Sequence, residues 1–130
     1  MDVTQPYILV FLGAGLGGVL RHILNVVVGR TFGAGFPWST IIINVTGSLA
    51  MGLVVGSLAF RADAQWSQPT RLFVATGILG GYTTFSTFSL ETILLIERGE
   101  IPAAVAYAGG SVLLGVLGLW GGLSLVRSLA

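Results

Sequence analysis

Gly80-Gly81-Tyr82-Thr83-Thr84-Phe85-Ser86-Thr87-Phe88-Ser89 interrupts an apolar segment that otherwise reads as a membrane span. Two glycines and a run of hydroxyls stand where lipid would offer the backbone no hydrogen-bond partner. Such a break persists only where protein shields it or where it lines a polar cavity. Broken helices at membrane depth mark ion and substrate sites. The stretch therefore points to permeation.

The rest of the chain fits a membrane protein. It has 130 residues, of which 54% are hydrophobic and only 8% charged, against roughly 25% charged in a soluble domain. The mean hydropathy is +0.92. A net charge of +1 supplies no basic patch for nucleic acid. With no cysteine there is no disulfide, thiolate metal site or thiol nucleophile. The N-terminus, Met1-Asp2-Val3-Thr4-Gln5-Pro6, lacks the basic start of a signal peptide, so the first apolar segment is expected to stay as a span.

A span needs about 20 mostly apolar residues. Four segments qualify, at about 7–28, 38–60, 70–96 and 101–126, with short connections and no room for a soluble domain. The expectation is an all-α membrane protein forming a single transmembrane domain over residues 1–130. It has four transmembrane helices, the third broken near its middle. Orientation follows the Lys/Arg count of short loops. There is no lysine. Arg61, Arg71 and Arg127 lie on one side, and Arg30 and Arg98 on the other, with Arg21 added if it leans that way. This near balance leaves open a weakly biased single orientation, and favours insertion both ways as an antiparallel, dual-topology homodimer. Two inverted copies would share a site at the bilayer midplane.

Polar residues form stripes. Gly13, Gly17, Arg21 and Asn25 recur every four residues on one face of the first span. Gly13 and Gly17 form a G-x-x-x-G read as a close-packing motif. Arg21 is costly inside a span; it reads as a snorkelling end residue, an anion-attracting vestibule or an anchor for a loop carbonyl. His22 reads as interfacial, there being no second His to share a metal. The G-x-G-x-x-G at Gly13–Gly18 is accidental, because no acidic residue occurs between Asp2 and Asp63. The second span carries Thr40, Asn44, Gly47 and Ser48 on one face, and the fourth carries Tyr107, Ser111 and Gly115. Asn44 reads either as helix–helix glue or as an amide donor to an anion. Phe85 and Phe88 could form a packed aromatic stripe, or present electropositive ring edges to an anion. Glu91 is the one carboxylate expected within a span, at a helix end or as a water-linked group at a mouth.

These residues resemble the Fluc (CrcB) family of fluoride channels along nearly the whole chain. The resemblance is carried by Gly17-Gly18-Val19-Leu20-Arg21-His22, Asn44-Val45-Thr46-Gly47, Gly80–Phe88 and Tyr107-Ala108-Gly109-Gly110-Ser111. His22 departs from the aromatic usual after the arginine, a change that touches packing more than the pore. The resemblance implies a dual-topology homodimer in membrane lipid, with two antiparallel pores, in the bacterial inner membrane. It implies passive, selective fluoride export that protects the cell, with no further protein partner. It places Asn44, Phe85, Phe88, Tyr107, Ser111, Thr40, Thr84, Glu91 and Arg21 along the fluoride pathway. It also implies that the backbone carbonyls of Gly80 and Thr83 hold a central sodium ion at the dimer interface. Gly115 stands where the track would often carry another hydroxyl.

Fluoride chemistry agrees with this. A selective pore must replace tightly held water with close N–H, O–H and ring-edge donors without trapping the ion. Three other classes fit less well. A proton-coupled multidrug exporter would want an acid in the first span, which has Arg21 instead. A scaffold that only packs helices would not need Asn44, Phe85 or Phe88. An enzyme would need a nucleophile–base pair that the spans lack.

Overall fold

A computed structural model of the chain describes residues 2–59 and 67–129, and every element among them is helical. In chain order these are α1 (Gln5–Phe32), α2 (Trp38–Ala59), α3 (Ser67–Thr70), a π-helical stretch (Arg71–Leu79), α4 (Gly80–Tyr82), α5 (Phe85–Glu97) and α6 (Ile101–Leu129). Three of them, α1, α2 and α6, are long and apolar enough to cross a membrane, with 28, 22 and 29 residues. The expected second span reaches residue 60, which lies outside the described residues, as does Arg61.

Proline and glycine set the helix ends. The chain has four prolines. Pro6, Pro69 and Pro102 stand in first turns, and Pro37 immediately precedes α2. The first N–H groups of a helix have no intrahelical partner, so proline's missing donor is not felt there. The expected loop at Gly29–Pro37 begins later than the composition suggests. Gly29 remains helical and α1 runs to Phe32, where Gly33 turns the chain out at φ 77°. The turn between α5 and α6 closes at Gly99, φ 78°. There the Gly99 amide donates to the Ile96 carbonyl and the Glu100 amide to the Leu95 carbonyl, both at 2.9 Å. This is a Schellman motif, in which glycine accepts the left-handed conformation.

Glycine also sets the packing. A Cβ at Gly13 would strike the Phe73 carbonyl and the Gly77 Cα, and one at Gly17 the Ile78 carbonyl. From the other side, a Cβ at Gly81 would come within 2.5 Å of the Ala14 carbonyl. Gly13-x-x-x-Gly17 of α1 thus meets Gly77-x-x-x-Gly81 of the broken segment, backbone on backbone. The pair Gly52 and Gly122 does the same between α2 and α6. Close approach through small residues is how helices associate where lipid removes any hydrophobic drive.

The break in the third segment falls inside the expected stretch Gly80–Ser89. Gly80 and Gly81 keep helical geometry, and Gly81 packs on Ala14 of α1. The chain extends instead at Thr83 (φ −81°, ψ 157°) and Thr84 (φ −150°, ψ 119°). Neither piece of this segment reaches the length of a span by itself.

Candidate functional site

The extended pair Thr83-Thr84 is held by α2. Asn44 accepts from the Thr84 amide through Oδ1 at 2.8 Å and donates from Nδ2 to the Thr84 carbonyl at 3.0 Å. The side-chain amide imitates a paired strand and satisfies backbone groups that the break exposes. Asn44 was read either as helix–helix glue or as a donor to an anion. Here its carbonyl and one N–H are committed to Thr84, leaving one N–H of the amide.

Two helix bonds are redirected by this arrangement. In a continuous helix the Thr84 amide would donate to the Gly80 carbonyl, four residues back; it goes to Asn44 instead. The Thr87 amide would donate to the Thr83 carbonyl; it goes to Thr84 Oγ1 at 3.2 Å, which caps α5. Gly80 and Thr83 therefore lose the amide partners that regular geometry would give their carbonyls. Thr83 keeps its own side chain local, donating from Oγ1 to the Leu79 carbonyl at 2.9 Å.

A cavity of about 410 Å³ opens beside the break, between the start of α5, α2 and α6. Asn44, Ser48, Thr84, Phe85, Phe88 and Ser111 are among its lining residues, and no charged side chain is. The Ser111 hydroxyl is buried and has no hydrogen-bond partner among the described residues. An unpaired buried hydroxyl is costly, so a guest that accepts a hydrogen bond would be favoured there. The Phe85 and Phe88 rings lie 5.7 Å apart and tilted by 42°. Phe85 is 78% exposed, and its ring stands out of the protomer.

A second polar group lies across Phe88. Glu91 of α5 receives a hydrogen bond from Thr40 of α2 at 2.8 Å on Oε1, and one from the Tyr107 hydroxyl of α6 at 3.0 Å on Oε2. Thr40 and Tyr107 are almost completely buried, at 1% and 0% exposure. The Phe88 and Tyr107 rings are 5.3 Å apart, so one aromatic contact joins this triad to the cavity. Glu91 also lines a separate hollow of about 280 Å³, together with Phe36, Trp38, Ser39 and Arg98. It bridges two hydroxyls at the edge of that hollow.

Eight of the nine expected pathway residues thus fall into two adjoining groups. Arg21 does not. It is on α1, lines neither hollow, and makes no hydrogen bond or ion pair among the described residues. Ser48 was visible in the sequence only as part of the α2 stripe, yet it lines the cavity. A Cβ at Gly115 would sit 3.6 Å from its Oγ. Its signal was the four-residue step from Asn44. Phe36 gave no signal, since it belongs to a connection and not to a periodic face.

Three apolar helices beside a broken segment that frames an uncharged, donor-bearing cavity define an integral membrane protein. The family model described as CrcB-like protein, Camphor Resistance (CrcB), matches residues 8–123. The chain belongs to this family. It is 60% identical over 123 residues to the fluoride-specific ion channel FluC 2 of Nitrobacter hamburgensis, covering 95% of this chain and 98% of that one. It is 62% identical to the fluoride-specific ion channel FluC of Beijerinckia indica, over 95% and 97% of the two chains. A FluC from Rhodopseudomonas palustris is 54% identical over 96% and 99%. Family and helices together make this a multi-pass membrane protein, in bacteria a protein of the cell membrane. Its relatives are channels and not enzymes.

Proposed function

We propose that this protein is a fluoride-selective channel that lets fluoride leave the cell passively and so protects it from fluoride toxicity. The observation that carries this reading is the cavity in which the unpaired Ser111 hydroxyl meets the Phe85–Phe88 pair with no charged lining residue. Fluoride must give up tightly held water, and a path of hydroxyls, an amide and ring edges can replace it. Without a fixed cation in that path the ion is not trapped. The second group then acts as the onward relay. Thr40 and Tyr107 present hydroxyls that now serve Glu91 and can turn to a passing anion. Relatives named as fluoride-specific channels support the choice of ion.

The assembly belongs to the same proposal. Four membrane crossings arise when the broken segment counts as one, with α3 to α4 and α5 entering from opposite sides. Two such protomers, inserted antiparallel, form a dual-topology homodimer with two pores, in one transmembrane domain each. The exposed Phe85 ring supports this, because a pore wall needs a cover. The near-balanced arginines support it too.

The carbonyls of Gly80 and Thr83 fit a sodium ion at the dimer interface. Both have lost helix partners, and a hard cation prefers oxygen ligands. Such an ion would supply fixed positive charge and satisfy the released carbonyls. Asn44 and Thr84 keep those carbonyls free by taking the amides that would otherwise close on them.

Release of fluoride from proteoliposomes loaded with potassium fluoride, started with valinomycin and followed by a fluoride electrode, tests the function. Chloride-loaded vesicles give the selectivity.

A further inference from the structure

Tyr107 is held between two rings. Phe88 of α5 lies 5.3 Å from it on one side. Phe36, from the connection between α1 and α2, meets it edge-on at 5.6 Å and 87°. Phe36 is braced in turn by Trp38 at 4.8 Å, and it packs on the buried cluster of Leu95, Ala104 and Tyr107. The connection is tied down from outside, where Arg98 Nη2 donates to the Gly35 carbonyl at 3.2 Å. Phe36 also lines the hollow that ends on Glu91. It therefore stands at the mouth and sets the ring whose hydroxyl meets Glu91.

We infer that Phe36 is a positioning residue for Tyr107, and that this loop aromatic controls how readily an anion passes from the mouth into the polar track. Phe36 carries no donor of its own and acts through the ring of Tyr107. Its edge-to-face contact restrains the Tyr107 ring, so that the hydroxyl stays over Glu91 and Thr40. A lost contact of this kind corresponds to about a two- to tenfold drop in the population of the correct ring position. This inference rests on the channel reading for its transport half only.

The test uses full-length protein labelled with 3-fluorotyrosine, with the Tyr107 resonance identified by its disappearance in Tyr107→Phe. Phe36→Leu keeps an apolar group of similar bulk and removes the ring. Arg98→Gln loosens the loop from an exposed position. In both, the fluorine resonance of Tyr107 is expected to shift or broaden, and those of Tyr7 and Tyr82 to stay. Fluoride release through Phe36→Leu is expected to fall about fivefold, within the range of one lost ring contact, and Phe36→Trp is expected to restore it. An unmoved Tyr107 resonance overturns the inference. So does a displaced resonance with fluoride release equal to that of the unsubstituted protein. If the unsubstituted protein itself releases no fluoride, the channel reading fails and the transport role of Phe36 falls with it. A displaced resonance would then still establish that Phe36 positions Tyr107.

Discussion

Asn44 and Thr84 pair through two hydrogen bonds, one accepted and one donated, at 2.8 and 3.0 Å. This pairing joins α2 to the break and keeps the chain extended there. Asn44→Ala leaves both backbone groups of Thr84 without a partner, at about 1–3 kcal/mol for each buried group. The expected result is a lower unfolding temperature in detergent together with lost fluoride release. Asn44→Asp keeps the acceptor for the Thr84 amide but adds charge to the cavity. Its second oxygen would face the Thr84 carbonyl where Nδ2 now donates, so it should also unfold at a lower temperature than the unsubstituted protein and fail to conduct.

Ser111 separates stability from transport. Its hydroxyl is buried and unpartnered, so Ser111→Ala removes a group that costs the fold about 1–3 kcal/mol. Stability should hold or rise. Fluoride release should fall by about tenfold or more, since a hydrogen bond to a charged group is worth about 1.5–3 kcal/mol. Thermal unfolding and the electrode assay on one preparation read both signs.

Gly17 tests the packing of the broken segment. A Cβ there would overlap the Ile78 carbonyl and approach the Tyr82 amide at 2.8 Å, all backbone atoms. Gly17→Ala should cost about 1–3 kcal/mol. Gly29→Ala is the control, with nothing within 4 Å of its added Cβ and a gain of up to about 1 kcal/mol in helix propensity. The comparison is made by thermal unfolding in detergent.

The released carbonyls of Gly80 and Thr83 make sodium removal informative. Exchange into N-methylglucamine chloride should lower the unfolding temperature, and added sodium should restore it. Thr84→Val returns no hydroxyl to the Thr87 amide and removes a cap worth about 0.5–2 kcal/mol. It should also weaken the response to sodium. An unfolding temperature indifferent to sodium would remove the cation from the account.

Much of this was legible in residue order. Apolar length marked α1, α2 and α6, and hydroxyls inside an apolar run marked the break. The four-residue step of Tyr107 and Ser111, and that of Thr40 and Asn44, placed each pair on one helix face. What residue order concealed was three-dimensional. The stretch Gly80–Ser89 marked the break, but residue order did not show that both glycines stay helical, that Gly81 packs on Ala14 of α1, or that the extension falls on Thr83-Thr84. Arg21 shares a stripe with Gly13 and Gly17, yet those glycines pack on the broken segment and Arg21 does not line the cavity. The π geometry of Arg71–Leu79 left no mark in composition. Asn44 could be assigned to a polar face, but which atoms its amide would pair with depends on a residue 40 positions away.

The most direct measurement is the paired efflux experiment on reconstituted protein. Vesicles loaded with potassium fluoride should empty rapidly once valinomycin is added, while vesicles loaded with potassium chloride should retain their anion. Equal release of both anions, or no fluoride release from correctly folded protein, would contradict the account.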